Sequence, residues 1–111
     1  MRYALLICQD ESVITGTDPA RVAAYEEFMD EMSPQGVIVD SQRLKPTSSS
    51  TTVQVREGDL VIADGPFAET KEQIAGFFVV DCQDLDQAIE VASKIPSAQW
   101  GTIEVRPIWE P

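Results

Sequence analysis

The chain has 111 residues, with 19 acidic and 8 basic side chains, a net charge of -11 and no histidine. Phosphate neutralisation requires clustered lysine and arginine, and the sequence has no such cluster, so neither nucleic-acid binding nor docking on an anionic membrane is expected. The length and the 43% of apolar residues predict one domain covering residues 1–111.

Histidine is the commonest general base and metal ligand, and its absence removes both roles. The two cysteines, Cys8 and Cys82, are not in metal-site spacing. We therefore expect no metal and no cofactor. No apolar stretch reaches membrane-spanning length and no signal peptide is visible, which makes a cytoplasmic protein the expectation.

The first elements in chain order are a strand and a helix. Residues 2–8 form an apolar run too short for a helix, and we predict a strand buried on both faces. Asp18 and Pro19 are typical of a helix start, and the helix is expected to end near Ser33. Its apolar face has helical spacing: Val22, Tyr25, Phe28, Met29 and Met32.

A second strand is predicted over Val37–Leu44, followed by a hairpin. The hairpin strands are Thr51–Arg56 and Leu60–Ala63, and residues 57–59 between them predict a three-residue turn containing glycine.

The remaining core elements are a strand over Ala75–Cys82, a second helix and a last strand over Thr102–Trp109. Asp84 is the expected cap of the helix, with Gln87 at the reciprocal position of a capping box. The predicted apolar face of this helix comprises Leu85, Ala88, Ile89, Ala92 and Ile95.

This order contains two β-α-β halves and predicts an α+β, ferredoxin-like sandwich with an inserted hairpin and both helices on one sheet face. The other sheet face would be bare and apolar, and a second copy of the chain is its obvious cover, so we predict a homodimer. Cys8 and Cys82 should end antiparallel neighbouring strands about 20 Å apart, at ~3.3 Å per residue, which is too far for a disulfide.

The stretch from Asp64 to Phe78 holds the most reactive side chains. Asp64-Gly65-Pro66-Phe67 is typical of a tight turn. One interpretation is that the turn only ends the hairpin and places Phe67 in the core. The other is that the turn projects Asp64 over the open sheet face, where its carboxylate could act as a base or bind a cation. Likewise Glu69, Lys71 and Glu72 are either a solvated surface or part of a loop held against the sheet, in which Lys71 suits the binding of an anion or a carbonyl group.

The last strand offers a second group of candidates. Strand alternation places Glu104 and Arg106 on the face opposite Ile103 and Val105. We predict that they face the barrel interior, where Arg106 needs a carboxylate partner, or that they form an exposed ion pair. Tyr3 could supply a hydroxyl to the same space, although the sequence does not fix its face.

Four segments carry a resemblance to a known family: residues 1–7, 64–78, 84–88 and 103–108. Together they resemble the YCII-related proteins, which are YciI-like and are also called DGPF-domain proteins. The resemblance covers nearly the whole chain. It implies a dimeric α+β barrel and a small-molecule ligand, with lyase or isomerase chemistry as a candidate activity.

In YciI-like relatives a histidine and an aspartate are proposed as an acid-base pair, and one relative is a dehydrochlorinase of a hydroxylated aromatic ring. This chain has no histidine, so acid-base work would fall to Asp64, Glu69 or Lys71. Tyr3, Phe67, Glu104 and Arg106 are the candidate substrate-binding residues. The alternative hypothesis is a non-enzymatic regulatory or protein-interaction module, because relatives are often encoded beside alternative sigma factors.

Overall fold

The computed structural model describes residues 1–12 and 18–111 of the chain. Within these residues the elements are, in order, β1 (Arg2–Gln9), α1 (Pro19–Met32), β2 (Ile38–Arg43), β3 (Thr51–Arg56), β4 (Asp59–Asp64), β5 (Gln73–Asp81), α2 (Leu85–Lys94) and β6 (Thr102–Pro107). No helix in the described ranges is long and apolar enough to cross a membrane.

Four strands form one antiparallel sheet in the order β2-β5-β1-β6, and β3 pairs with β4 as a separate two-stranded sheet. This is the strand order of a ferredoxin-like fold, with the hairpin inserted between β2 and β5. The predicted α+β class and inserted hairpin are confirmed.

Both helices pack on the same face of the sheet. Tyr3, Leu5 and Ile7 of β1 are buried there, in one cluster with residues of α1 and α2. The alternate side chains, Ala4 and Leu6, are only partly buried. The prediction that β1 is buried on both faces is therefore wrong for the single chain, because among the described residues only the helix side of the strand is covered.

The helix caps follow the predicted chemistry. The Asp18 carboxylate accepts a hydrogen bond from the Ala20 N–H at 2.9 Å, and Pro19 is the first helical residue. The Asp84 carboxylate accepts from the Gln87 N–H at 2.9 Å, while the Gln87 side chain accepts from the Gln83 N–H at 2.7 Å. The reciprocal bond thus reaches one residue before the cap.

The buried face of α2 is rotated from its predicted position. Ala88, Val91 and Ala92 are buried, whereas Leu85 and Ile89 are 48% and 50% exposed. The buried face of the helix thus consists of two alanines and a valine, and the larger Leu85 and Ile89 side chains remain outside.

The hairpin turn has two central residues and not three. Arg56 pairs with Asp59, which leaves Glu57 and Gly58 as the turn. Both have positive φ, 51° and 81°, as a type I′ turn requires. This turn is favoured because its twist matches that of the two strands.

Cys8 and Cys82 lie at opposite ends of the sheet, as predicted. Cys8 pairs with Ile74 at one end of β5, while the Cys82 N–H donates to the Met1 carbonyl at the other end. Both thiols are free.

Candidate ligand-binding site

A cavity of about 530 Å³ opens between α1 and the helix-facing side of β2 and β5. Its size is within the range of roughly 300–1,000 Å³ that is usual for small-molecule sites. Much of its wall is apolar and includes Ile7, Val22, Met29, Ala75 and Phe78.

The cavity exists because α1 is anchored deeply at one end only. Phe28 and Met32 in its second half are buried, and the Phe28 ring packs edge-on against Phe78 with centroids 5.4 Å apart. In the first half, Val22 is 40% exposed. Two of the sheet residues that line the gap, Ser41 with its small side chain and Gly76 with none, fill little of it.

Gly76 is required where it stands. A Cβ atom at this position would come within 2.6 Å of the Gln42 carbonyl oxygen on β2. The strands can therefore approach closely only if residue 76 has no side chain. The same requirement keeps this part of the cavity lining free of side-chain atoms.

One wall of the cavity carries a hydrogen-bonded pair of hydroxyl groups, from the half-buried Tyr25 and the buried Ser97. The Tyr25 hydroxyl lies 2.5 Å from Ser97 Oγ, and Ser97 is only 2% exposed. Burial raises the pKa of the Tyr25 hydroxyl, although the hydrogen bond to Ser97 and the charge of Arg43 act in the opposite direction. Tyr25 is thus neutral at physiological pH and is a hydrogen-bonding group there, not a base.

Two arginines border the same space. The Arg21 guanidinium lies over the Trp100 ring, 4.8 Å from its centroid, and its Nε is 3.8 Å from the Asp18 carboxylate. Arg43 ends β2 and makes no ion pair with any described residue. Glu26 and Asp30 also line the cavity and are exposed, so its charges are mixed.

The predicted catalytic residues lie elsewhere. Asp64 is the last residue of β4, and Asp64, Glu69 and Lys71 are all exposed. Phe67 is 81% exposed, so the interpretation that the turn places it in the core is wrong. The turn itself is held by the Gly65 N–H, which donates to the Ser50 carbonyl at 2.8 Å.

Tyr3 and the two charged residues of β6 lie on opposite faces of the sheet. Tyr3 is 1% exposed and belongs to the core between sheet and helices. Glu104 and Arg106 lie on the open face, as strand alternation predicted, and form an ion pair with each other. Both side chains are largely exposed in the single chain.

None of the seven predicted site residues lines the cavity. Sequence reasoning did not identify the polar groups of the cavity as a site, among them Arg21, Tyr25, Arg43, Ser97 and Trp100. One signal was available, since a glycine inside an apolar strand, here Gly76, commonly marks close backbone approach or a ligand. No pattern in the sequence connects Ser97 or Trp100 with α1. Among the described residues no group of three His, Cys, Asp or Glu side chains could hold a metal ion.

The fold and its open cavity define a ferredoxin-like α+β protein. The family model described as the YCII-related domain matches residues 1–111. An uncharacterised protein of Rhizobium meliloti (strain 1021) is 36% identical, over 97% of this chain and 92% of that relative. The chain therefore belongs to the YCII-related family, and the resemblance found in its four sequence segments is confirmed.

Proposed function

We propose that this YCII-related protein is a homodimer that binds a small organic molecule in the cavity between α1, β2 and β5. The observation that carries the proposal is the cavity itself, about 530 Å³ in volume and lined by apolar side chains with a few polar groups on its walls. A concave, mostly apolar site with a small number of placed polar groups is the usual form of a ligand site.

The ligand proposal can be tested by nuclear magnetic resonance with a fragment library, using two glycine amides as position markers. Gly76 lines the cavity, whereas Gly65 lies in the turn after β4. We expect fragments that shift the Gly76 resonance and leave that of Gly65 unchanged. Fragments that shift only Gly65 would place the site at the loop, and a library without any saturable shift would reject the ligand proposal.

The dimer is supported by two apolar surfaces on the single chain. The open sheet face presents Ala4, Leu6, Phe77 and Val79, each only partly buried. One face of the β3–β4 hairpin presents four side chains that are each 60% or more exposed: Val53, Val55, Leu60 and Ile62. Apolar surfaces of this kind mark interaction sites, and an identical copy can cover both.

Light scattering after size exclusion tests the dimer. We expect the wild-type chain to elute at twice its own mass and Leu6→Lys, in the middle of the open face, to elute as a folded monomer. Ile89→Lys is the matched control, because Ile89 is 50% exposed on α2, on the helix side of the sheet. A monomeric wild type, or equal effects of the two variants, would reject the open face as the interface.

Catalysis by Asp64, Glu69 and Lys71 is a separate proposal, since none of these exposed side chains lines the cavity. It predicts a lyase or isomerase reaction at the Asp64–Glu72 loop, in which Lys71 binds an anionic or carbonyl group of the substrate. Lys71→Ala should then weaken ligand binding without unfolding the chain. If Lys71→Ala binds fragments as the wild type does while changes in the cavity abolish binding, the loop is not the site.

A further inference from the structure

We infer that the ligand of the cavity is an organic carboxylate with an apolar body, held at its charged end by Arg21 and Arg43. The inference rests on the proposed ligand-binding function and adds the chemical class of the ligand. Its basis is the placement of two guanidinium groups and a neutral hydroxyl pair at a cavity whose wall is largely apolar and whose acidic side chains are exposed.

Arg21 is fixed in place while its hydrogen-bond donors stay available. Its guanidinium group lies 4.8 Å from the centroid of the Trp100 ring, and its side chain is 30% exposed. The Asp18 carboxylate accepts a hydrogen bond from the Ala20 N–H through Oδ1 at 2.9 Å. Its Oδ2 forms an ion pair with Arg21 Nε at 3.8 Å, which is beyond hydrogen-bond distance. A planar guanidinium oriented by stacking suits a carboxylate, which it can bind through two parallel hydrogen bonds.

Arg43 lies on the strand that faces α1 across the cavity. It has no carboxylate partner among the described residues, and it lines the same cavity as Tyr25. Arg43, Tyr25 and Arg21 are therefore all donors bordering one space.

The acidic residues of the cavity lining weaken the preference for an anionic ligand without reversing it. Asp18, Glu26 and Asp30 all line the cavity and are exposed, and interactions of exposed charges are reduced by solvent and salt. Arg21 is partly shielded by the indole ring, so its interaction with a bound anion is screened less. The walls formed by Ile7, Met29 and Phe78 would bind the apolar body of the ligand.

Three probes with one apolar body and different head groups test the inference: phenylbutyrate, phenylbutanamide and phenylbutylamine. Trp109, 97% exposed near the chain end, is changed to Phe so that Trp100 is the remaining tryptophan and reports binding by its fluorescence. We expect phenylbutyrate to bind at least about tenfold more tightly than the amide, because hydrogen bonds to a charged group are the stronger ones.

Arg21→Gln and Arg43→Gln should each weaken phenylbutyrate binding about tenfold and leave amide binding nearly unchanged. Arg56→Gln is the matched control, since Arg56 is an exposed arginine of the hairpin, outside the cavity lining. Equal binding of acid and amide, or tighter binding of the amine, would overturn the carboxylate inference and leave the proposed ligand site standing. Failure of all three probes, together with no fragment that shifts Gly76, would overturn both.

Discussion

The hydroxyl pair of Tyr25 and Ser97 connects α1 with the 3₁₀ turn Pro96–Gln99 that follows α2. The pair forms one wall of the cavity, so its strength bears on both stability and ligand binding. Tyr25→Phe removes one partner and leaves Ser97 Oγ, in a residue that is 2% exposed, without the hydrogen bond that it makes in the wild type.

The expected cost of Tyr25→Phe follows from that burial. An unsatisfied buried hydroxyl costs about 1–3 kcal/mol, and Ser97 has little access to water. Ser97→Ala should cost less, about 1 kcal/mol, because the half-buried Tyr25 hydroxyl can turn towards the cavity. In the double variant no hydroxyl is left unpaired, so the effects should be non-additive, with a coupling free energy of about 1 kcal/mol.

Urea unfolding of the four proteins, at one fixed protein concentration, measures the coupling. Tyr3→Phe is the control, since Tyr3 is buried more deeply than Tyr25 and its hydroxyl bonds only to the Met1 sulfur among the described residues, at 3.8 Å. We expect Tyr3→Phe to lower the free energy of unfolding by less than about 0.5 kcal/mol, because a thioether is a weak hydrogen-bond acceptor. Strictly additive effects of Tyr25→Phe and Ser97→Ala would refute the argument that the pair stabilises the fold.

Two further predictions concern the strand contact at Gly76 and the reactivity of the Cys8 thiol. Gly76→Ala should lower the free energy of unfolding by about 1–3 kcal/mol, because the new Cβ would lie 2.6 Å from the Gln42 carbonyl oxygen. Urea unfolding measures the loss, and an unchanged free energy would contradict the close approach of the two strands. Burial, with smaller contributions from nearby carboxylates including Glu104, raises the pKa of the Cys8 thiol, so iodoacetamide should modify Cys8 more slowly at neutral pH than in the unfolded chain. Glu104→Gln should shift the pH profile of that reaction downward, as followed by peptide mass spectrometry, and an unchanged profile would exclude the carboxylate.

The elements of the fold were predictable because their signals are local. Asp18 with Pro19, and Asp84 with Gln87, satisfy helix N–H groups within four residues, so the sequence specifies the helix starts without knowledge of the tertiary structure. Strand alternation likewise placed Glu104 on the open face. These features depend on residue type and spacing alone.

The cavity was not predictable, because it results from how one element stands against another. Helical spacing correctly grouped Val22, Tyr25 and Met29 on one side of α1, but it does not say how far that side lies from the sheet. The separation depends on the buried Phe28 and on the absence of a side chain at Gly76, which lie 48 residues apart in the chain (76 minus 28). Only the packed structure brings these two facts together.

The four residues Asp64-Gly65-Pro66-Phe67 lead to a last prediction about the proposed dimer. Phe67 is 81% exposed, in a loop that directly follows the apolar hairpin. Burying a phenylalanine side chain contributes about 1.5–3 kcal/mol, so a Phe67 that contacts the second copy would strengthen the dimer roughly ten- to a hundredfold. Phe67→Ala should therefore raise the dimer dissociation constant by that factor and leave the unfolding of the separated chain unchanged. Sedimentation over a dilution series measures it, with Leu85→Ala, 48% exposed on α2, as the control. An equal dissociation constant for Phe67→Ala and wild type would exclude this loop from the interface, and the turn would then only end the hairpin.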